Sequence, residues 1–422
     1  MADRKFRIGS DRIAAHNRAG AKALDEDFRA LARALKRRGV DVEAVMRRLA
    51  AFQVAVPSWG TRSGGTRFGT FDIPGLPRDI FEKLDDAATV HALTGATPKV
   101  SLHLPWDHTD DPATLKRYAR KLGLGFDAMN SNTFQDQPGQ VVSFRHGSLA
   151  AAGRDAREQA IAHNLAVIEA GRALGSKAIT VWIGDGANAP GQMDLTASFE
   201  RYAASLKKVH AALPPDWTMF IEYKPFEPAF YYTVLADWGS ALMASQEAGP
   251  RCRVLVDLGH HLPGTNIEAI VARLIRAGRL GGFHLNDNAY ADDDLTAASI
   301  APYRLFRIFH ELVLAGGREK RFKPAYMIDQ SHNFQDPLEG LLQTVMEMQA
   351  IWAKALLVDH ARLAEYQDAD DAVAAEMTLK DAFHTDTRPL AAMARVVAGG
   401  AADPVAAYRA SGYRVAKARE RG

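Results

Sequence analysis

Residues 253–260 read RVLVDLGH, a short apolar run that stops in an aspartate, a glycine turn and a histidine. A carboxylate inside such a run is expensive unless a cation or hydrogen bonds compensate it. The run therefore reads as a buried strand whose carboxyl end carries chemistry. Its neighbours repeat the pattern: TMFIEYKP at 218–225, LGGFHLND at 280–287 and AYMIDQSH at 325–332. Four earlier runs end in tryptophan, asparagine or glycine: QVAVPSW at 53–59, VSLHLPW at 100–106, LGFDAMNSN at 124–132 and AITVWIGDG at 178–186. Amphipathic helical patterns lie between them, as at Glu158–Leu174 and Asn266–Ala277. Eight alternating strand and helix units are the content of an α/β fold, the (β/α)8 TIM barrel, whose active sites stand at the carboxyl ends of the strands.

The chain has 422 residues, 47% of them hydrophobic, whereas such a barrel takes about 250. The surplus falls at the ends. We expect an N-terminal helical segment over 1–50, the barrel over 51–358, and a C-terminal helical extension over 359–422, broken at Gly399 and Gly400 and suited to oligomerisation. Lysine plus arginine number 52 against 50 acidic residues, and the net charge of +2 makes no electrostatic case for nucleic acid. The opening MADRKFRIGSDRIAAHNRAG has no apolar signal core, and no apolar run is long enough to span a bilayer. The expected location is the cytoplasm, with no membrane partner. The single cysteine, Cys252, excludes an intramolecular disulfide and a thiolate metal cluster, leaving packing at the start of the sixth strand as its expected role.

In TMFIEYKP, Glu222 and Lys224 lie two apart and face one side of a strand, with Ile221 and Tyr223 on the other. They form either a structural salt bridge or the start of a ligand set. Asp257, His284 and Asp329 extend the set through the next three strands. Three oxygens and one imidazole converging near the barrel axis suit a divalent ion such as Mn²⁺, Mg²⁺, Co²⁺ or Zn²⁺. After the seventh run comes ADDDL, in which Asp292 and Asp294 share a side if the segment is extended. With His260 they form a second, more open cation site; the competing reading is a solvated loop with a helix cap.

Trp59, Trp106 and Trp182 end the first, second and fourth runs. Flat indoles make walls for the C–H face of a sugar ring, and they also serve as plain core. His103, three residues before Trp106, is either an ordinary buried histidine or a base that takes a proton from a sugar hydroxyl and opens the ring.

These segments, with GGTRF (64–68), KLDD (83–86), LGFDAMNSNTF (124–134), TNIE (265–268), YRLF (303–306) and DPVAAYRASGY (403–413), resemble bacterial L-rhamnose isomerases of the type that also accepts other aldoses such as D-allose. The resemblance runs from the N-terminal helix to near the C-terminus. It implies a (β/α)8 barrel, usually a homotetramer, that converts aldose to ketose with two divalent metals, Mn²⁺ first and Co²⁺, Mg²⁺ or Zn²⁺ also compatible. It implies a structural metal site at Glu222, Asp257, His284 and Asp329 and a catalytic one at His260, Asp292 and Asp294. His103 matches the ring-opening histidine and Lys224 a substrate-binding lysine, while Asp329 helps orient a proton-shuttling water. Trp59, Trp106 and Trp182 match the pocket walls, and Phe134 is counted with them as a substrate contact. Phe68, in the GGTRF loop, matches a residue that enters a neighbouring subunit's site. Read alone, SGGTRFG is a Gly-rich surface loop without the GK[ST] ending of a phosphate loop.

The chain departs from some members of that family at Tyr223, where they carry His, and at Ala289, where they carry Lys. Both departures bear on substrate preference, not on the ligand set. The expected reaction is L-rhamnose to L-rhamnulose, by a hydride shift from C2 to C1 or by proton transfer through an enediol. No clear pair of glutamates flanks one carbon, which favours the shift and argues against a ketose 3-epimerase on the same barrel. A DNA-cleaving metal barrel would need a basic groove. A sugar-binding module without turnover would have no use for seven metal ligands.

Overall fold

Period-two alternation turns the eight runs into eight parallel strands: β1 (Val56–Pro57), β2 (Lys99–Leu104), β3 (Gly125–Asn132), β4 (Ala178–Trp182), β5 (Thr218–Glu222), β6 (Cys252–Asp257), β7 (Leu280–Leu285) and β8 (Ala325–Ile328). The computed structural model describes residues 5–62, 69–319 and 322–422. The strands pair in chain order. The ring closes through Ala55, whose amide donates to the Tyr326 carbonyl at 2.8 Å and whose carbonyl accepts from the Ile328 amide at 3.0 Å. The expected (β/α)8 barrel is the fold observed. β1 is shorter than its apolar run: only Val56 and Pro57 pair with β2 before the chain enters a 3-10 turn at Trp59–Thr61.

A helix follows each strand: Ile80–Thr94, Pro112–Lys121, Arg154–Leu174, Leu195–Ala211, Trp238–Ala248, Ile267–Arg276, Pro302–Arg318 and Pro337–Leu356. Asp79, Asp111, Asp194, Asp237, Asn266 and Asp336 cap six of them by accepting from first-turn amides, each cap contributing about 1 kcal/mol. Helices Ser10–Arg37 and Val42–Ala50 precede the barrel, and five short helices between His360 and Arg421 follow it. The last of these is anchored on the first barrel helix, where Arg421 grips both oxygens of buried Asp86 at 2.7 and 2.9 Å. Among the described residues no helix is long and apolar enough to cross a membrane.

The two faces of each strand have separate fates. Outward residues such as Val56, Leu102, Ile179, Ile221, Val256 and Phe283 join the core under the helices. Inward residues Ala55, Ala128, Phe220, Leu255 and Met327 form a second apolar cluster. Two positions beyond four of them stand Asn130, Glu222, Asp257 and Asp329, on the same face and nearer the carboxyl ends. The apolar cluster thus forms a floor on which a polar layer rests. Cys252 opens β6 fully buried, and burial pushes its thiol up to about 12.

Candidate active site

β5 to β8 deliver an acidic half. Glu222, Asp257, His284 and Asp329 bring one donor atom each within 4.8 Å of one another. His284 Nδ1 lies 3.0 Å from Glu222 Oε1, 3.4 Å from Asp329 Oδ2 and 3.7 Å from Asp257 Oδ2. Asp257 is wholly buried; its Oδ1 accepts from the Gly259 amide at 2.7 Å and from Asn286 Nδ2 at 3.0 Å, while Oδ2 has no hydrogen-bond partner among the described residues. A buried carboxylate oxygen without a donor is the atom a cation would satisfy. The donor set fits a hard or borderline divalent ion.

Asp257 also joins a second group with His260 and Asp292. His260 Nδ1 faces the Tyr223 carbonyl at 3.1 Å, which directs Nε2 toward Asp292 Oδ2 at 3.2 Å and Asp257 Oδ2 at 4.0 Å. A ring N–H held by a carbonyl fixes the tautomer that frees the other nitrogen. The ADDDL segment does not meet the condition of being extended, because the backbone turns left-handed at Asp294, with φ 49°. Nor does it start a helix: Asp293 caps the loop by accepting from the Ala289 and Tyr290 amides, and the next helix begins at Pro302. Asp294 lines the same cavity as Asp292, but Asp257 completes the donor group around His260.

Lys224 points to the same mouth as Glu222 but pairs with Asp292, Nζ to Oδ2 at 2.6 Å, and with Glu227 at 3.3 Å. The crowded carboxylates reset the imidazoles. Burial alone would lower both, yet Glu222, Asp329 and Asp257 outweigh it at His284, which is pushed up to about 10. Asp257 and Asp292 do the same at His260, raising it to about 9. Burial, with repulsion from Glu222, Asp292 and Asp329, carries Asp257 up to about 7 against the pull of His260. Burial would likewise raise Glu222, but His284 and His260 hold it below its ordinary range. In the metal-free chain, protons on the two imidazoles balance the acids, and a divalent ion would displace them.

β1 to β4 deliver an aromatic half. His103 stacks on Trp106 with centroids 3.8 Å apart and meets Trp59 edge-on at 5.5 Å; Phe134 packs on Trp182 at 4.4 Å. Burial, with Lys83, His163 and His284, brings His103 down to about 3, so the ring is neutral at pH 7. Trp59, His103, Trp106, Phe134, Trp182 and Lys224 share one cavity of about 110 Å³ with Glu222, His260, His284, Asp292, Asp294 and Asp329. Asp257 lies outside that lining. Phe68 and the GGTRF loop, Gly64 to Phe68, lie outside the described residues.

Asn130, Ser131, Thr180 and Ser331 line the same cavity and were not singled out in the sequence. Alternation was the available signal, since Thr180 stands two before Trp182 on β4. Tyr223 faces away from the mouth as expected, its hydroxyl 2.7 Å from His261 Nε2 in a buried pair.

The sequence model described as Xylose isomerase-like TIM barrel matches residues 87–316, the stretch from His103 through Asp294 included. The chain belongs to the xylose isomerase-like TIM barrel family. This xylose isomerase-like chain is 55% identical over 415 residues to a probable sugar isomerase of Rhizobium meliloti, covering 98% of this chain and 96% of the relative. It is 52% identical over 416 residues to a probable sugar isomerase of Mesorhizobium japonicum, again covering 98% and 96%. Among solved structures it resembles a 3-keto-D-glucoside 4-epimerase from E. coli, with a TM-score of 0.51, 12% identity, and 69% of this chain and 97% of that one covered. An L-ribulose 3-epimerase aligns with a TM-score of 0.51 and 13% identity over 78% of this chain and 97% of that one. At such identities the likeness is one of fold.

Proposed function

We propose that the chain is a metal-dependent aldose–ketose isomerase, with L-rhamnose and L-rhamnulose as its foremost pair and other aldoses such as D-allose as further substrates. One observation carries the reading: a largely buried cluster of three carboxylates and an imidazole reaches, through Glu222, His284 and Asp329, the same cavity as an aromatic wall that holds a neutral histidine. The near-full-length relatives named probable sugar isomerases support the sugar class.

Glu222, Asp257, His284 and Asp329 would hold one divalent ion, and His260 and Asp292, with Asp257 or Asp294, a second; Mn²⁺ is placed first. Such ions, when bound, supply fixed positive charge for the sugar oxygens O1 and O2. His103 takes the proton of the anomeric hydroxyl as the bond from C1 to the ring oxygen breaks, and that proton passes to the ring oxygen, which becomes a hydroxyl. Trp106, Trp182 and Phe134 offer apolar faces to the C–H side of the chain and exclude water from it. Lys224 holds the Asp292 carboxylate and presents an ammonium to a sugar hydroxyl. Asp329, with Oδ1 tied to Trp59, orients a water that carries a proton between O1 and O2. Moving hydrogen from C2 to C1 as hydride needs no base on carbon. A 3-epimerase needs groups on opposite faces of C3, and among the described lining residues Glu222 is the one glutamate.

The reading includes a cytoplasmic homotetramer in which the flanks 1–50 and 359–422 serve assembly and Phe68 contacts a neighbour's sugar. Its test is a panel of 6-deoxyhexoses, aldohexoses and aldopentoses incubated with Mn²⁺-loaded protein, with ketoses resolved by chromatography. Ketose should form and should vanish on chelation. A metal-loaded preparation that makes no ketose from any aldose, or a verified metal-free one with full turnover, would contradict it.

A further inference from the structure

Behind the aromatic wall lies a buried charge pair that the reaction above does not use. Asp107, directly after Trp106, is 2% exposed. Its Oδ2 accepts from the His103 amide at 2.8 Å and from the hydroxyl of Ser58, the residue before Trp59. Its Oδ1 accepts from Lys83 Nζ at 2.6 Å, a side chain brought in by the helix after β1. The Asp107 amide returns a bond to the His103 carbonyl at 2.8 Å, so the turn from His103 to Asp107 is closed on both sides.

The place of this pair in the fold gives it a task. β1 pairs with β2 only at Val56 with Val100 and Pro57 with Ser101, and one further backbone bond, Ser58 to Ser101 at 2.9 Å, ends the ladder. Past that point the side-chain bond from Ser58 to Asp107 continues the tie between the two strand ends. Those ends carry three rings of the cavity wall, His103 stacked on Trp106 and edge-on to Trp59. A carboxylate buried this deeply is tolerated only with a fixed partner, and Lys83 supplies it.

We propose that Asp107, held by Lys83, is a positioning residue for the ring-opening wall, fixing His103, Trp59 and Trp106 relative to one another through Ser58 and the His103 backbone. The proposal rests on the isomerase reading. Lys83 also faces the ring electrostatically: after burial, its positive charge is the largest influence that keeps His103 unprotonated.

The test uses Asp107→Asn and, because that change leaves Lys83 without its charge partner, Ser58→Ala as a milder variant. In Asp107→Asn, kcat on a ring-forming aldose should fall by about 10²-fold and in Ser58→Ala by about tenfold, while kcat on glyceraldehyde, which has no ring to open and feels only the tie from Trp59 to Asp329, should fall several-fold less in each. Equal losses on both substrates, or none on either, overturn the proposal. If the wild-type protein turns over no aldose, the isomerase reading fails by itself. The positioning claim is then decided by the ¹⁵N shifts of the His103 imidazole, which must move in both variants and whose constancy overturns it.

Discussion

Trp59 Nε1 donates to Asp329 Oδ1 over 2.8 Å, joining the first ring of the aromatic wall to the last carboxylate of the acidic cluster. The two residues come from opposite ends of the barrel sequence and meet where β8 closes on β1 through Ala55. With Oδ1 engaged, Oδ2 is the oxygen that faces His284 at 3.4 Å. Trp59→Phe keeps a ring in place and removes the donor. We expect kcat/KM to fall by about tenfold, the equivalent of one hydrogen bond to a charged group, with little change in melting temperature. An unchanged kcat/KM would show that the tie does not orient Asp329.

The imidazoles set a pH dependence. His284 at about 10 and His260 at about 9 lie above the ordinary 6.5, so the folded metal-free chain holds more protons there than the unfolded one. Their stabilisation is complete below pH 6.5 and is lost as pH rises through 9 to 10. His103 and His261, both brought down to about 3 by burial first, act oppositely: their contribution is complete above 6.5 and is lost as pH falls toward 3. Calorimetric melting of metal-free protein should therefore decline on both sides of neutrality. Bound metal displaces the protons on His284 and His260, so the alkaline decline should disappear in loaded protein, and titration calorimetry should detect proton release at pH 7.5. A metal-free protein equally stable at pH 7 and pH 10 would contradict the assignment.

Single substitutions separate the ligands. His260→Ala and Asp292→Ala should cut turnover by about 10²-fold or more while leaving the fold intact. Asp257→Ala strands the Gly259 amide and the Asn286 side chain, adding a stability loss of about 1–3 kcal/mol, and it lowers metal content most because Asp257 belongs to both donor groups. Metal content by mass spectrometry and denaturant melts check both parts. Equal, negligible effects of all three on turnover would refute the site.

Glu222, Asp257, His284 and Asp329 were legible because a charge inside a period-two apolar run has few explanations. The helices were legible for a similar reason: Asn266 and Ala277, the ends of one amphipathic pattern, are the cap residues of helix Ile267–Arg276. The conformation of ADDDL was not legible, since a left-handed turn at an aspartate leaves no periodic trace. Thr180 and Asn130 escaped because neutral side chains raise no energetic alarm in a strand. The Asp107–Lys83 pair escaped because its meaning lies in a contact between a strand end and the preceding helix. Tyr223 was read on the correct face by alternation, but its partner His261 is visible only once the turn after β6 has folded back.

The central claim is tested most directly by incubating L-rhamnulose with Mn²⁺-loaded protein in D₂O and reading the products by NMR during the first turnover. The account predicts that L-rhamnose appears with ordinary hydrogen at C2 and that the remaining ketose gains no deuterium at C1 or C3. Deuterium at C3 without aldose would mean an epimerase, and substantial deuterium at C2 of the first aldose formed would mean a protein base on carbon; either result would contradict it.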